Sequence, residues 1–274
     1  MNNMEIHLAI PSYNNATGLK KLLPQAVLQD FASITVLDDG STDDTSKVVE
    51  MFSGVKYIKS NENHGSVAAK NLILKQLPQN GWLLFIDSDM EIITDDIPAK
   101  LQDFSQRHTE AGAGVRLIKT HDGSPMRFNK GFDLNPLRMV LAMVFYAIMY
   151  ILPSNFALRE FVRKLSSPFS MDFHTIKEEK VDWAVEGFFF VKVSLFKKFG
   201  GYDSRFIRNH EGPDLCLRLR QAGHQIWFFP GIIIQDHDQH SHSNFYRRYH
   251  WWRSLIIYYY KNPSRLLIWH WPNP

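Results

Sequence analysis

An apolar run, Trp82-Leu83-Leu84-Phe85-Ile86, stops at two carboxylates one residue apart, Asp87 and Asp89. Such a run reads as a buried strand, and the acids stand where it would surface. Strand side chains alternate, so the two carboxylates would share a face and offer hard oxygens to one Mg²⁺ or Mn²⁺. Water and phosphate oxygens would complete that shell, which suits a phosphorylated substrate. Taken alone, an Asp-x-Asp at a strand end equally describes a solvated turn or a helix cap, so the neighbouring elements have to decide.

Those elements repeat one plan. Ile6-His7-Leu8-Ala9-Ile10 reads as a strand stopped by Pro11, and Asn14-Asn15 open a stretch with Leu19, Leu22, Leu23 and Ala26 at helical spacing. Ile34-Thr35-Val36-Leu37 ends in Asp38-Asp39-Gly40-Ser41-Thr42-Asp43, where Gly40 permits a turn and Ser41 or Thr42 would cap a helix starting at about Asp43. Val55-Lys56-Tyr57-Ile58 leads through Asn63-His64-Gly65 to Ser66, the expected N-cap of a helix carrying Lys70 and Asn71. Strands alternating with helices predict a mostly parallel sheet covered on both faces, which binds ligands beyond the carboxyl ends of its strands. All the polar clusters named so far fall at those ends.

In order and spacing, Ile10-Pro11-Ser12-Tyr13-Asn14, the Asp38–Asp43 run, Asn63-His64-Gly65 through Lys70-Asn71, and Asp87-Ser88-Asp89 resemble the nucleotide-sugar half of family 2 glycosyltransferases of GT-A fold. Val181-Asp182-Trp183, Glu186-Gly187, Phe199–Phe206 and Asp214–Gly223 resemble the acceptor side of that family, particularly its rhamnosyltransferase-like members. The resemblance covers roughly residues 4–240, and five or six ordered motifs are specific where one would not be. It implies an α/β/α sandwich with a mostly parallel central sheet, Rossmann-like, fused to an acceptor-binding half. The divisions it suggests are 1–110 for the nucleotide-sugar half, 111–244 for the acceptor and catalytic-base half including an apolar segment at 136–153, and 245–274 for an aromatic and basic tail.

The resemblance also implies an activity: inverting, metal-dependent transfer of a sugar from a nucleotide-diphosphate sugar to a glycan, glycolipid or lipid-linked acceptor in cell-surface glycan synthesis. It places Mg²⁺ or Mn²⁺ chiefly on Asp89, with Asp87 beside it and His237 close by, His240 and His242 being rivals. It gives the nucleotide sugar to Pro11, Tyr13, Asn14, Asp38, Asp39, Lys70, Asp87 and Ser88. Lys70 stands where relatives commonly carry arginine and cannot stack as a planar guanidinium does. Trp183 and Glu186 fall near the expected acceptor pocket. Many relatives read Glu-Asp-x-Asp at the catalytic base, whereas this chain reads Glu211-Gly212-Pro213-Asp214. Gly212 cannot take a proton, which leaves Glu211 or Asp214. Pro213 and Asp214 both suit the first turn of a helix for structural reasons, so Glu211 is the preferred base.

Composition sets limits. The 274 residues are 45% hydrophobic, ample for a core, and a net charge of +3 without a dense basic run argues against nucleic acid. Cys216 is the one cysteine, so no internal disulfide forms and a reducing compartment fits. Met1–Glu5 shows neither a basic nor an apolar leader region, making the cytoplasm the expected compartment. Met139–Leu152 is unbroken apolar or aromatic but short of the roughly 20 residues that span a bilayer. It reads as a buried core helix or as one lying in a membrane interface. Phe245–Lys261 interleaves aromatics with cations, as interface belts do, with core packing as the alternative. A peripheral contact with the inner face of the cell membrane follows from the first of these readings. Other functions compatible with the α/β layout are a sugar-nucleotide nucleotidyltransferase, although residues 10–20 lack a Gly-rich triphosphate loop, and a non-catalytic nucleotide- or glycan-binding relative, for which Gly212 is the argument.

Overall fold

A computed structural model describes residues 4–120, 122–125, 130–131, 135–151, 161–162, 176–184, 189–207, 209–236 and 244–267. The first half alternates as expected: β1 (Ile6–Ser12), α1 (Ala16–Val27), β2 (Ser33–Asp38), α2 (Thr45–Glu50), β3 (Val55–Lys59), α3 (Ser66–Asn71), β4 (Trp82–Phe85), β5 (Met90–Ile92) and α4 (Ile97–Arg107). Leu19, Leu22, Leu23 and Ala26 of α1 are fully buried, because their spacing of three or four residues puts them on the face toward the sheet. Pro11 lies in the buried strand β1, past the last β1–β4 pair at Ala9 and Phe85, so its missing N–H breaks no ladder bond on that side.

The second half contributes β6 (Ala111–Lys119), β7 (Lys130–Gly131), α5 (Pro136–Ile151), β8 (Glu179–Val181), β9 (Trp183–Ala184), β10 (Phe189–Lys192), α6 (Val193–Lys198), α7 (Glu211–Gln221), β11 (Gln225–Asp236), α8 (Asn244–Lys261) and α9 (Ser264–Leu267). Strands of both halves join in one sheet of order β3-β2-β1-β4-β10-β6-β11-β5, with β8 also paired to β11. The parallel part is β3-β2-β1-β4 together with the β6–β11 pair, while β10, β5 and β8 run antiparallel. Where the halves meet, Trp82 of β4, Phe104 of α4 and Phe190 of β10 pack edge to face, with ring centroids 5.3 to 6.2 Å apart. That geometry adds to the burial of three large rings and locks the two halves of the sheet together.

Candidate nucleotide-sugar and transfer site

Four loops at the carboxyl ends of β1 to β4 are tied to one another by side chains. Asn15 caps α1 through Oδ1, which accepts from Gly18 N at 3.1 Å, and its Nδ2 donates to Ser88 Oγ at 3.0 Å. Asn14, held at φ 47°, donates its N–H to Ser41 Oγ at 2.8 Å and accepts from Thr42 N at 2.8 Å. Ala16 N donates to Asp43 Oδ2 at 2.9 Å. Partial burial works against ionisation of Asp43, but the bonds from Thr45 and Ala16 N outweigh it and hold its carboxyl below the usual range.

These bonds correct three local expectations. Ser41 and Thr42 do not cap α2, which begins at Thr45 with Asp44 at its N-cap, because their polar groups are committed to Asn14. α3 starts at Ser66 itself, and Gly65 at φ 93° is its N-cap. Strand β4 ends at Phe85, and Met90 N donates to Asp87 O at 3.1 Å, so Asp87-Ser88-Asp89 forms a turn between β4 and β5. Strand alternation therefore does not govern the two carboxylates. The turn is held against the first turn of α1 so tightly that a Cβ on Gly18 would stand 2.2 Å from Ser88 O, and glycine is required there by close approach.

Asp38 is fully buried; its Oδ1 accepts from Ser41 N at 2.7 Å and its Oδ2 from the Tyr57 hydroxyl. Burial and then the neighbouring Asp38 push the Tyr57 phenol well above its ordinary value, so it stays a neutral donor. Asp39, 3% exposed, accepts from His64 N at 3.1 Å and Gly65 N at 2.7 Å and thereby shapes the β3–α3 loop. Lys70, 1% exposed on α3, brings Nζ to 3.5 Å from Asp87 Oδ1. That oxygen is enclosed and accepts no hydrogen bond among the described residues. Pro11 is buried at this edge, and Tyr13 is 48% exposed over it. The sequence marks Asn15 and Asp43 only as helix starts and Tyr57 only as a strand residue, so their bonds between segments are not foreseen from it.

The transfer side reaches this edge through α3. Asn71 donates Nδ2 to Tyr202 O at 2.8 Å and accepts from Tyr202 N at 2.9 Å, and a Cβ on Gly201, at φ 74°, would lie 2.3 Å from Asn71 Oδ1. Gly201 is thus demanded twice, by its left-handed backbone and by the close approach. Further on, Ile207 lies against Gly65, and the chain then enters α7 through Asn209 and His210 at φ 66° and 65°. Two consecutive non-glycine residues in that region store strain immediately before Glu211, which is 1% exposed.

Asp214 is equally buried, but both of its oxygens are taken: Oδ2 accepts from Arg218 Nε at 2.9 Å, and Oδ1 from the ammonium of Lys261. Trp183 on β9 lies over Gly131, and α7 packs against β9, so Trp183 and Glu211 belong to neighbouring elements. Glu186, His237, His240 and His242 lie outside the described residues.

Residues 8–175 match glycosyl transferase family 2. The chain belongs to this family. It is 25% identical over 243 residues to the N-acetylglucosaminyl-diphospho-decaprenol L-rhamnosyltransferase of Mycobacterium tuberculosis, covering 84% of this chain and 75% of the relative. It is 21% identical over 273 residues to rhamnosyltransferase WbbL of Escherichia coli K12, covering 96% and 94% of the two chains. Its fold is similar to that of the mannosyltransferase PcManGT from Pyrobaculum calidifontis, solved in complex with GDP-Man and Mn²⁺, at a TM-score of 0.61 and 14% identity over 96% of this chain and 65% of that one. The protein is a glycosyltransferase of the GT-A fold, similar to rhamnosyltransferases. Family membership decides against the nucleotidyltransferase and the purely binding alternatives.

Proposed function

We propose that this glycosyltransferase moves a sugar, with inversion, from a nucleotide-diphosphate donor to a glycan or lipid-linked acceptor of cell-surface glycan synthesis. The observation that carries the donor site is the convergence of Asp39, Lys70 and the Asp87-Ser88-Asp89 turn on one edge of the parallel strands. Tyr13 offers an exposed ring to the base, Pro11 and Asn14 shape the floor, and Asp39 presents a carboxylate whose remaining lone pairs face the nucleoside, with Asp38 as its buried support. A pyrophosphate beside Asp87 and Asp89 would be repelled without a cation. The enclosed, unbonded Asp87 Oδ1 and the neighbouring Asp89 fit a divalent ion as hard oxygen ligands, with Ser88 turned between them and His237 a further candidate. When bound, Mg²⁺ or Mn²⁺ neutralises charge on the departing diphosphate. Lys70 supplies a second, fixed positive charge at the same place.

The acceptor hydroxyl attacks the anomeric carbon, forming the glycosidic C–O bond as the C–O bond to phosphate breaks, and its proton passes to a carboxylate. Glu211 is that base, because Asp214 has both oxygens engaged by cations. Trp183, with Glu186, forms the acceptor platform. The M. tuberculosis relative is named for a decaprenol-linked acceptor, and we place this enzyme likewise at the cytoplasmic face of a membrane. Glu211→Gln keeps shape and removes basicity, so transfer should fall about 10²–10⁴-fold while donor and Mn²⁺ still bind. Near-normal transfer in Glu211→Gln together with a folded, inactive Asp214→Asn would reverse the two roles.

A further inference from the structure

We propose that the outer faces of α5 and α8 form one docking surface for an anionic lipid membrane. On α5, Leu137, Val140, Val144, Ile148 and Ile151 recur every three or four residues, which is one line along a helix, and their exposures run from 38% at Ile148 to 79% at Ile151. On α8 the same spacing joins Phe245, Tyr249, Trp252, Ile256 and Tyr260, exposed between 57% at Tyr249 and 83% at Tyr260. The inner face of α8 is already satisfied: Ser254, Leu255 and Tyr258 are buried. Trp251 packs its ring 5.4 Å from that of His210, so the adjacent tryptophans divide, Trp251 facing the protein and Trp252 the outside. Asn135 Nδ2 donates to Arg265 O at 3.2 Å, which ties the residue before α5 to α9, the short helix that follows α8.

Exposed apolar lines of this length mark an interaction surface. Charge selects the occupant. Residues 135–151 and 244–267 contain no Asp or Glu, but do contain Arg138, Arg247, Arg248, Arg253, Lys261 and Arg265. Of these, Lys261 is paired internally with Asp203 and Asp214, and Arg253 donates to Arg205 O at 3.0 Å. Two segments that hold arginines and no carboxylate, and that expose aliphatic side chains together with Tyr and Trp, are complementary in composition to anionic headgroups over acyl chains. The helices lie on the bilayer rather than across it. α5, with 16 residues, is about 24 Å long against a hydrocarbon core of roughly 30 Å, and no helix among the described residues is long and apolar enough to cross.

Membrane docking of this kind rests on the reading of a transferase with a lipid-borne acceptor, but its test reads binding alone. The full chain is sedimented with vesicles of phosphatidylcholine plus phosphatidylglycerol, and with vesicles of phosphatidylcholine only, in parallel with Val144→Asn/Ile148→Asn and Trp252→Ser/Ile256→Ser. Leu28→Ser, exposed at the C-cap just after α1, serves as the control. Wild type and the control should bind anionic vesicles and bind neutral ones less, and each double variant should lose binding at least about tenfold, with unchanged melting temperature and unchanged donor hydrolysis in solution. Equal partitioning of all forms, or no binding by wild type, overturns the proposal. So does a concentration-dependent doubling of mass that the double variants abolish, since a second copy would then own the face. Vesicle binding without release of nucleoside diphosphate from any donor would leave the docking surface standing and refute the transferase reading instead.

Discussion

Lys261, in the last turn of α8, places its ammonium on Oδ1 of Asp214, in the first turn of α7 and 47 positions earlier, and also 2.6 Å from Oδ2 of Asp203. Arg218 completes the cluster, bonding Asp214 through Nε and the carbonyls of Phe199 and Gly201 through its two terminal nitrogens. A carboxylate that is 1% exposed keeps its charge only among such partners. The helix that carries the exposed aromatic line is thereby bolted to the helix that begins with Glu211.

Removing the bolt should therefore be felt in the fold. Lys261→Met leaves Asp214 with Arg218 alone, and breaking a buried ion pair on one side costs about 2–4 kcal/mol. Urea unfolding should show this. A double-mutant cycle with Asp214→Asn should give a coupling of roughly 1–3 kcal/mol, and strict additivity would mean that the contact does not operate in solution.

Gly18 supplies a sharper test, since two principles oppose each other there. Ala is ordinarily better than Gly inside a helix by about 1 kcal/mol. At this position the new methyl would sit 2.2 Å from the backbone oxygen of Ser88, which cannot step aside as a flexible side chain would. The clash should win: Gly18→Ala is expected to destabilise by about 1–3 kcal/mol and to weaken Mn²⁺-dependent nucleotide binding by displacing the Asp87–Asp89 turn. A more stable variant with unchanged donor affinity would show that the turn is not held by α1.

Much of the loop edge after β1 to β4 was legible because its determinants are local. Strand ends, the polar clusters after them and the helix-spaced Leu19, Leu22, Leu23 and Ala26 all lie within a few residues of what they position. Where one loop captures a group from another, the local rules failed. Ser41 looked like a helix cap, but its hydroxyl serves Asn14; Asp87 and Asp89 looked like strand residues, but the chain turns at Ser88. The antiparallel insertion of β10 between β4 and β6 brings together residues about a hundred positions apart, which no periodicity reports. Likewise nothing in the sequence marked His210 as buried against Trp251, or Lys261 as the partner of Asp214, since both depend on where α8 docks.

His210 gives a pH dependence whose sign follows from its surroundings. Burial against Trp251 and Tyr258 pushes its imidazole down to about 4. The unfolded chain titrates near 6.5, so between pH 6.5 and 4 the unfolded state binds a proton that the folded state refuses, and stability falls as pH falls through that window. A shift of that size corresponds to a loss on the order of 3 kcal/mol across the window. Burial lowers His7 and His224 as well, and they act in the same direction. Replacing His210 by Asn, which tolerates the left-handed backbone, should flatten the dependence of the urea midpoint on pH over this range without abolishing it. An unchanged slope would mean that His210 is protonated in the folded protein.

The metal assignment turns on Asp89. If a divalent ion bridges the Asp87–Asp89 turn and the diphosphate, nucleoside diphosphate should bind in two thermodynamically distinct ways: tightly with Mn²⁺ and weakly after chelation. The weak form would be supported by Lys70 and the loop donors alone. Asp89→Asn keeps the volume and removes the charge, so calorimetry should show roughly a 10–100-fold loss of the Mn²⁺-dependent affinity, with the chelated affinity little changed. Asp87→Asn should do two things at once, weakening the metal and freeing Lys70 from its carboxylate neighbour at 3.5 Å. Its chelated affinity for the diphosphate should therefore rise rather than stay level, because one carboxylate competing for the ammonium is removed. A chelated affinity that rises in Asp87→Asn and stays level in Asp89→Asn separates an ion-pair partner from a metal ligand. If wild-type affinity is insensitive to both Mn²⁺ and chelator, the turn is not a metal site, and charge on the leaving diphosphate falls to Lys70 and the backbone donors of these loops.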